Sequence, residues 1–422
     1  MHHALRGGAA VCVAVLWLPM SVAALQSPTF VLAWGREGTG QGEFTHPGAI
    51  AIGPTGLVYV GDTNNDRIQV FQQDGTFVTE WGSHGSAPGQ FYRPSGLAVD
   101  ADGFLYVADR YNYRIQKFLA DGTFVTSWGT QGTGPGEFDT VYDVAIGADG
   151  AVFVVDSVNH RIQKFDGDGT FLLEWGSYCS GPPNGGGCVN GGDGQFAQPE
   201  GIAVDASGAV YVADTFNHRI QKFDADGSFL LKWGSLGSGN EQFYDPLGLG
   251  TDGDGNVYVA ETSVPRIKKF DAAGTFLLSW GTQGSEAGEF DHPIDVALTP
   301  TDEVFVVDWG NDQIHRFGDA PVNTGRSDIA VLSWSSLTKN PTREPVMMYL
   351  QLPQTGNVVV RILDVRGRVV REATAGPLVA GVHPIGWDLV DQRGALVPAG
   401  VYFATAQTSG SRAVQRIVVL KK

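Results

Sequence analysis

Three residues of types that often perform catalysis stand within six positions of the chain. Asp214, His218 and Arg219 combine an acid, an imidazole and a guanidinium, the groups of many acid–base sites. The acid and the arginine, however, recur along the chain at the same spacing. Their copies are Asp62/Arg67, Asp109/Arg114, Asp156/Arg161, Glu261/Arg266 and, with glutamine in place of arginine, Asp308/Gln313. Because a pair present in every copy of a repeat serves each copy, we interpret it as a charge-assisted hydrogen bond that fixes a hairpin.

The elements that position this pair belong to a repeat. A Trp-Gly dipeptide recurs every 47 residues, except that one interval is 58 residues long. Its tryptophans are Trp34, Trp81, Trp128, Trp175, Trp233 and Trp280. The longer interval contains a Gly- and Pro-rich loop that holds Cys179 and Cys188. A period of this length indicates a repeat fold, here with six copies.

Each copy has the pattern of four short β-strands. In the second copy they cover residues 95–100, 104–109, 113–118 and 123–129, and Asp-Gly turns follow the first and third strands. The last copy lacks its fourth strand, and a spare one with the sequence TFVLAWG stands at residues 29–35. We therefore predict an all-β fold in which the N-terminal strand completes the last sheet and closes a six-bladed β-propeller.

Residues 199–223 read PEGIAVDASGAVYVADTFNHRIQKF, and the other five copies match this stretch to varying degrees. The stretch resembles the signature of the NHL repeat, and the resemblance covers about residues 25–318. It implies a six-bladed propeller. It leaves the function open, because NHL-type propellers include lyases, receptor sensor domains, RNA binders and protein-binding modules.

The C-terminal part has a second resemblance. After a linker predicted at residues 319–340, the pieces LP (352–353), DVRGRVV (364–370), GVHPIGWD (381–388), GVYF (400–403) and a terminal IVVLKK alternate as in a small β-sandwich. Residues 349–422 resemble the Ig-like domain of flagellar hook-capping proteins, which also ends many secreted bacterial proteins, and we predict the domain at residues 341–422. The resemblance implies a role in sorting by the type IX secretion machinery or in surface attachment.

The N-terminus predicts export. Residues 1–24 combine Arg6, an apolar run at residues 9–18 and small residues at a cleavage site after Ala23 or Ala24, the pattern of a secretory signal peptide. The run is too short to span a bilayer, and we predict no membrane span. The protein is expected outside the cell or on its surface, where Cys179 and Cys188 would form a local disulfide.

Charge is divided unevenly along the chain. Residues 25–322 contain 15 Lys and Arg against 39 Asp and Glu, a net charge of −24, whereas residues 323–422 contain 12 against 6, a net charge of +6. A domain this acidic repels phosphate backbones, so we predict no binding of nucleic acid.

Histidines offer little support for a metal site or an enzyme. His46 and His292 fall at equivalent positions of neighbouring copies, but a catalytic zinc ion needs three protein ligands. α-Amidating lyases, which are NHL-type propellers, hold zinc with histidines directly after the repeat proline. The equivalent residues here are Gly48, Ser95, Tyr142, Glu200, Leu247 and Ile294. We predict no catalytic residue, metal or cofactor, and an amidating-lyase-like or lactonase-like enzyme in the channel is the alternative.

Positions that differ between copies are the candidates for a site that is built only once. The loops before the first strand and between the second and third strands fall on the face opposite the Asp-Gly hairpins, which we call the variable face. The predicted ligand-binding residues there are Tyr92, Arg93, Tyr111, Tyr113, Tyr142, Glu200, Phe216 and Trp309. Exposed aromatics among polar groups suit a protein or glycan ligand, although several of them could instead pack between blades.

Two acids complete the set of candidates. Asp143 and Asp295 replace the glycine or alanine of the other copies and would face each other across the channel entrance, because their blades are opposite in a six-membered ring. They are candidates to bind a cation, and ordinary hydration is the alternative. The sequence therefore predicts a non-enzymatic protein that binds a protein or glycan ligand on the variable face.

Overall fold

A computed structural model describes most of the chain. It describes residues 27–179, 191–318, 333–336, 346–352, 356–364, 366, 368–378, 381–408 and 412–419. The predicted signal peptide and Cys188 lie outside these residues, so the leader and the disulfide stay predictions, although Cys179 itself is buried. Within the described part, none of the helices combines the length and the apolar character needed to cross a bilayer.

Twenty-four strands between residues 29 and 318 form six antiparallel sheets of four strands each. The chain begins with β1 (Thr29–Trp34). The first sheet contains β2 (Ala49–Ile52), β3 (Val58–Asp62), β4 (Arg67–Phe71) and β5 (Phe77–Trp81). The second contains β6 (Pro94–Val99), β7 (Leu105–Asp109), β8 (Arg114–Phe118) and β9 (Phe124–Trp128). The third contains β10 (Val141–Ile146), β11 (Val152–Asp156), β12 (Arg161–Phe165) and β13 (Phe171–Trp175).

The remaining three sheets repeat this plan. The fourth contains β14 (Gly201–Val204), β15 (Val210–Asp214), β16 (Arg219–Phe223) and β17 (Phe229–Trp233). The fifth contains β18 (Pro246–Thr251), β19 (Val257–Glu261), β20 (Arg266–Phe270) and β21 (Phe276–Trp280). The sixth contains β22 (Pro293–Leu298), β23 (Val304–Asp308) and β24 (Gln313–Gly318). Short 3-10 helices follow the second strand at Thr63–Asn65, Arg110–Asn112 and Thr215–Asn217.

The N-terminal strand is the fourth strand of the sixth sheet, as the sequence predicted. β1 pairs antiparallel with β24, from Thr29 opposite Gly318 to Trp34 opposite Ile314. The first and sixth sheets are adjacent, since they share one buried apolar cluster. This is the arrangement expected of a propeller whose first and last blades meet.

Neighbouring blades pack through two repeated dipeptides, the Trp-Gly at the end of one blade and the Asp-Gly in the last hairpin of the next. Trp81, at the end of the first blade, lies directly beneath Gly122 in the hairpin of the second. Gly122 has a φ of +83°, and a Cβ on it would lie 2.6 Å from the Cδ2 atom of Trp81. Only glycine meets both requirements, because L-residues rarely adopt this φ and the indole leaves no room.

The repeated acid–arginine pair is a structural clamp, as interpreted from the sequence, and it is larger than the sequence analysis recognised. In the third blade the buried Asp156 carboxylate accepts hydrogen bonds from Arg161 Nε at 2.8 Å, Asn159 Nδ2 at 3.0 Å and Gln163 Nε2 at 3.1 Å. Arg161 also donates to main-chain carbonyls of the loop at residues 133–137. The clamp therefore joins the hairpin to the loop that precedes the first strand.

The C-terminal part is a separate two-sheet unit, with β25 (Ser333–Ser336), β26 (Val346–Leu352), β27 (Gly356–Asp364), β28 (Val369–Leu378), β29 (Gly381–Trp387), β30 (Gly400–Gln407) and β31 (Arg412–Val419). One sheet has the order β25-β26-β29 and the other β28-β27-β30-β31. The predicted linker at residues 319–340 ends too late, because β25 lies within it and pairs with β26. Four residues are too few to show a strand period, and pairing with β26 gives β25 its conformation.

Candidate functional site

A cavity opens at the channel entrance on the variable face and is open to solvent. Consecutive blades supply chemically different sides to it. We call Arg110, Tyr142 and Glu200, from the second to fourth blades, the polar wall. We call Leu247, Ile294 and Trp309, from the fifth and sixth blades, the apolar wall. Asp143 and Asp295 also line the cavity, and we call them the channel acids.

The channel acids join neighbouring blades. Asp143 Oδ1 accepts a hydrogen bond from the N–H of Val144 at 2.8 Å, and its Oδ2 accepts one from the N–H of Ile202, in the next blade, at 3.0 Å. Asp295 does the same with Val296 and with Ile50 of the first blade, both at 2.8 Å. Each carboxylate therefore has a fixed orientation at the wall of the channel.

Both channel acids resist ionisation. Burial raises the pKa of Asp143 and of Asp295 above the usual range of a carboxylic acid, and the negative charge of Asp143 raises the pKa of Asp295 further. Hydrogen bonds from the main chain oppose these shifts without cancelling them. The two acids line one cavity, and ionisation of one makes ionisation of the other less favourable.

The space for each acid comes from a glycine in the preceding blade. A Cβ on Gly96 would lie 2.5 Å from the Cα of Asp143, and a Cβ on Gly248 would lie 2.5 Å from the Cα of Asp295. The inner strands approach closely here because the blades converge on the axis. Packing against the two acids therefore requires glycine at positions 96 and 248.

The polar wall is an interacting set of three side chains. The guanidinium carbon of Arg110 lies 4.4 Å from the ring centroid of Tyr142, within the range of a cation–π contact. Burial raises the pKa of Glu200 to about 7, although Arg110 and a hydrogen bond from Tyr142 act in the opposite direction. Burial and the Glu200 charge likewise raise the pKa of the Tyr142 hydroxyl.

Aromatic contacts continue from the polar wall towards the rim. Arg110 also lies 5.1 Å from the ring centroid of Tyr111, whose ring centroid is 5.1 Å from that of Tyr92. Arg110 was not among the residues predicted from the sequence. A comparison of the copies would have identified Arg110, because this position differs between blades. The equivalent residues are Thr63, Ser157, Thr215, Thr262 and Trp309.

The apolar wall is centred on Trp309, which is 37% exposed. The ring of His46 lies 4.2 Å from it between centroids, and the ring of His292 lies 5.8 Å from it. Each of the two histidines also has a polar partner, which is Asn64 for His46 and Asp291 for His292. In the described part of the chain, no three side chains of metal-ligating type form a group.

Other predicted residues lie away from this cavity. Phe216 is 44% exposed but does not line it, and Arg93 is an exposed rim residue whose N–H donates to Asp66 Oδ1 at 2.7 Å. Tyr113 differs from the prediction, because its side chain is half-buried and packs against the core shared by the second and third blades. Sequence variation alone does not separate such packing residues from exposed ones.

Family models match both parts of the chain. The NHL repeat matches residues 44–71, 91–118, 143–165 and 196–223, and the FlgD Ig-like domain matches residues 339–411. Together with the six four-stranded sheets, these matches define the class: an NHL-repeat β-propeller protein with a C-terminal FlgD Ig-like domain.

Among curated proteins, Protein brain tumor of Drosophila melanogaster is 51% identical over 45 residues, which is 11% of this chain and 4% of that protein. The B-box type zinc finger protein ncl-1 of Caenorhabditis elegans is 57% identical over 37 residues, 9% of this chain and 4% of that protein. The matches thus cover a very small part of these relatives, which agrees with a shared repeat and says nothing further about activity.

Two solved structures resemble the fold. A Bacteroides thetaiotaomicron protein of unknown function superimposes with a TM-score of 0.52 at 17% identity, over 68% of this chain and 74% of that chain. PorZ, a surface component of the type IX secretion system of Porphyromonas gingivalis, gives a TM-score of 0.41 at 17% identity, over 88% of this chain and 51% of its own. The first likeness supports the fold alone, and the second is too loose to carry an argument.

Proposed function

We propose that this chain is a non-enzymatic recognition protein that acts outside the cell and binds a protein or glycan ligand at the channel cavity. One observation carries the proposal: the cavity has a polar wall on one side and an apolar wall on the other. A cavity of this kind fixes the orientation of a ligand through a few polar groups and gains affinity from the apolar surface that it covers.

A protein ligand is favoured over a glycan. Arg, Tyr and Trp are the residues that most often dominate the binding energy of protein interfaces, and Arg110, Tyr142 and Trp309 meet here. The net charge of −24 over residues 25–322 would attract a basic partner and speed its association.

The arrangement of the polar groups supports binding more than catalysis. Each channel acid accepts two main-chain hydrogen bonds and has a structural role between blades. Arg110 lies over Tyr142, where it helps to form a recognition surface. A propeller enzyme with its site in this cavity remains the alternative, and it requires turnover of a lactone or of a peptidyl-α-hydroxyglycine.

The test is a binding screen with the full-length protein. A displayed random-peptide library and a glycan array are probed with wild type and with Trp309→Ala, and the ligands found are titrated by calorimetry. We expect Trp309→Ala to weaken binding at least about tenfold, which corresponds to 1.4 kcal/mol. Leu230→Ala is the matched control, because Leu230 is 50% exposed on an outer strand away from the cavity. Equal loss in both variants, or turnover of a lactone by the wild type, contradicts the proposal.

For the FlgD Ig-like domain we propose a role in sorting by the secretion machinery or in surface attachment. The match at residues 339–411 supports this role. The test removes residues 339–422 and measures export and surface retention in a host that has type IX secretion. Unchanged export and retention would remove the proposed role without affecting the binding proposal.

A further inference from the structure

The cavity is lined by more carboxyl groups than basic side chains. Asp143 and Asp295 line the cavity, and Glu200 adds a third carboxyl group on the polar wall. Arg110 is the single basic side chain among the described residues that line the cavity, and it lies over Tyr142. The cavity therefore has an excess of carboxyl groups over cations.

The channel acids keep acceptor capacity towards the cavity. A carboxylate offers about four acceptor positions, and main-chain N–H groups occupy two on each acid. The remaining positions suit a donor with several N–H groups. Since the carboxylates are already oriented by the main chain, little entropy is lost when such a donor binds.

The apolar wall indicates that the ligand also has an apolar part. Leu247 and Ile294 provide aliphatic surface, and the indole of Trp309 can cover methylene groups or attract a cation to its face. A simple hydrated metal ion would not use this wall. A ligand that uses both sides has a cationic end and an aliphatic stem.

We infer that the cavity receives a lysine side chain of a protein ligand, with its ammonium group against the channel acids and its stem along Leu247, Ile294 and Trp309. Lysine combines a compact ammonium with three donors and a flexible four-carbon stem. Its methylene groups pack on apolar surface while the charged end reaches a polar site. The inference rests on the proposed function and specifies which group of the protein ligand is recognised.

Calorimetry with a defined peptide tests the inference. The probe is the peptide Ala-Ala-Lys-Ala-Ala with blocked ends, compared with the same peptide carrying Nε-acetyllysine. With the full-length protein we expect the acetylated peptide to bind at least about tenfold more weakly, because acetylation removes the charge. Equal binding of the two peptides, or no binding of the lysine peptide at millimolar concentration, overturns the inference.

Variants separate the cavity from the general acidity of the propeller. The double variant Asp143→Asn/Asp295→Asn should lose binding of the lysine peptide. The matched control Asp102→Asn/Asp226→Asn removes the same number of carboxyl groups from hairpin turns on the opposite face and should retain this binding. Equal loss in both double variants means that only long-range attraction was measured, which overturns the inference.

A second variant guards against a folding defect, because the channel acids also join blades. Leu247→Lys places a tethered ammonium in the cavity and should block the lysine peptide. Leu230→Lys, the same change at an exposed residue that does not line the cavity, should not. If both variants bind equally well, the inference is wrong. If a lysine-free peptide or a glycan binds and Trp309→Ala abolishes that binding, the proposed function stands and the lysine inference alone falls.

Discussion

At the channel position, four blades have glycine or alanine and two have aspartate, and each aspartate reaches across to the next blade. Asp143 binds the N–H of Ile202, and Asp295 binds that of Ile50. Each acid makes one such link, and because the two blades are opposite one another, two carboxyl groups line one cavity. A single residue type thus links blade packing to the electrostatics of the candidate site.

Gly96→Ala is expected to destabilise the propeller, because the new Cβ would lie 2.5 Å from the Cα of Asp143. Overpacking of a core costs about 1–3 kcal/mol. Thermal and urea unfolding measure the effect. The control is Gly253→Ala, where nothing lies within 4 Å of the added Cβ. A Gly96→Ala protein as stable as the control would show that the inner strands separate easily.

The affinity for the lysine peptide is expected to rise between pH 6 and pH 8. Glu200 has a pKa of about 7, raised by burial and by Asp245 and lowered by Arg110 and Tyr142, so its charge develops in this window. A cation binds the ionised form better. Glu200→Gln should reduce the slope of log affinity against pH, and the raised pKa values of Asp143 and Asp295 account for what remains. An unchanged slope in Glu200→Gln would show that groups other than Glu200 cause the pH dependence of the affinity.

At the scale of the element, the clamp explains why an acid and an arginine recur. The acid is fully buried in every blade, and in five blades an arginine binds it. Burial raises the pKa of Asp156 in spite of Arg161, which shows how much the carboxylate depends on its donors. The clamp therefore holds a hairpin and a long loop in one position, and the variable face is built on both.

Arg161→Ala should be strongly destabilising. It removes the ion pair at 2.8 Å and leaves the Asp156 charge buried, a change that costs about 3–5 kcal/mol. Equilibrium unfolding in urea measures it. Arg36→Ala removes an equal charge from an ion pair whose arginine side chain is 78% exposed, and its melting temperature should stay close to that of wild type. Equal effects of the two changes would contradict the clamp.

The sixth blade lacks the full clamp. Gln313 stands in place of the arginine, and the buried His315 stands in place of the usual glutamine. Burial raises the pKa of Asp308 to about 7 and lowers that of His315 to about 4. Since the folded pKa of Asp308 lies above its unfolded value, its contribution to stability is present at low pH and is lost as pH rises towards and through 7.

Gln313→Arg should restore the clamp and stabilise the protein at pH 8 by about 1–3 kcal/mol, the contribution of a hydrogen bond to a charged group. The gain should shrink towards pH 5, where Asp308 is protonated in the folded state. Gln283→Arg, at an exposed position, is the control and should give no such pH-dependent gain. A gain that does not change with pH would argue against Asp308 as its source.

At the scale of the whole molecule, the two ends of the propeller chain meet in one sheet. β1 supplies Trp34, whose ring packs against Phe71 of the first blade and Phe305 of the sixth. The strand thus contributes to both the sixth sheet and its boundary with the first. Its removal would uncover the edge of β24, and an unpaired edge strand invites association with another chain.

Deletion of residues 27–35 is therefore expected to lower the melting temperature and to produce oligomers or aggregates. Thermal unfolding and size-exclusion chromatography measure the two effects. Val31→Thr is the control, because Val31 is an exposed residue of the same strand and the change preserves the backbone pairing. A deletion variant that stays monomeric with an unchanged melting temperature would show that the strand is dispensable.

Much of the candidate site could be predicted from the sequence, because the repeat copies can be compared with one another. Comparison of the copies marked Asp143, Asp295, Tyr142, Glu200 and Trp309 as positions that vary, and all five line the cavity. The same comparison included Tyr113, which is half-buried against the core, and Phe216, which lies outside the cavity. Variation identifies positions free to differ, but it does not measure burial or distance.

The sequence by itself determined the number of blades, the place of the N-terminal strand and the clamp, because strand period, Asp-Gly turns and repeat spacing are local properties of the chain. Only the tertiary structure decided that Arg110 lies over Tyr142 and that an apolar wall stands opposite a polar one. Those relations join residues of different blades, whose distances depend on how the ring brings its sheets together. The raised pKa values of the channel acids have the same origin, since burial and mutual repulsion exist only once the blades surround the channel.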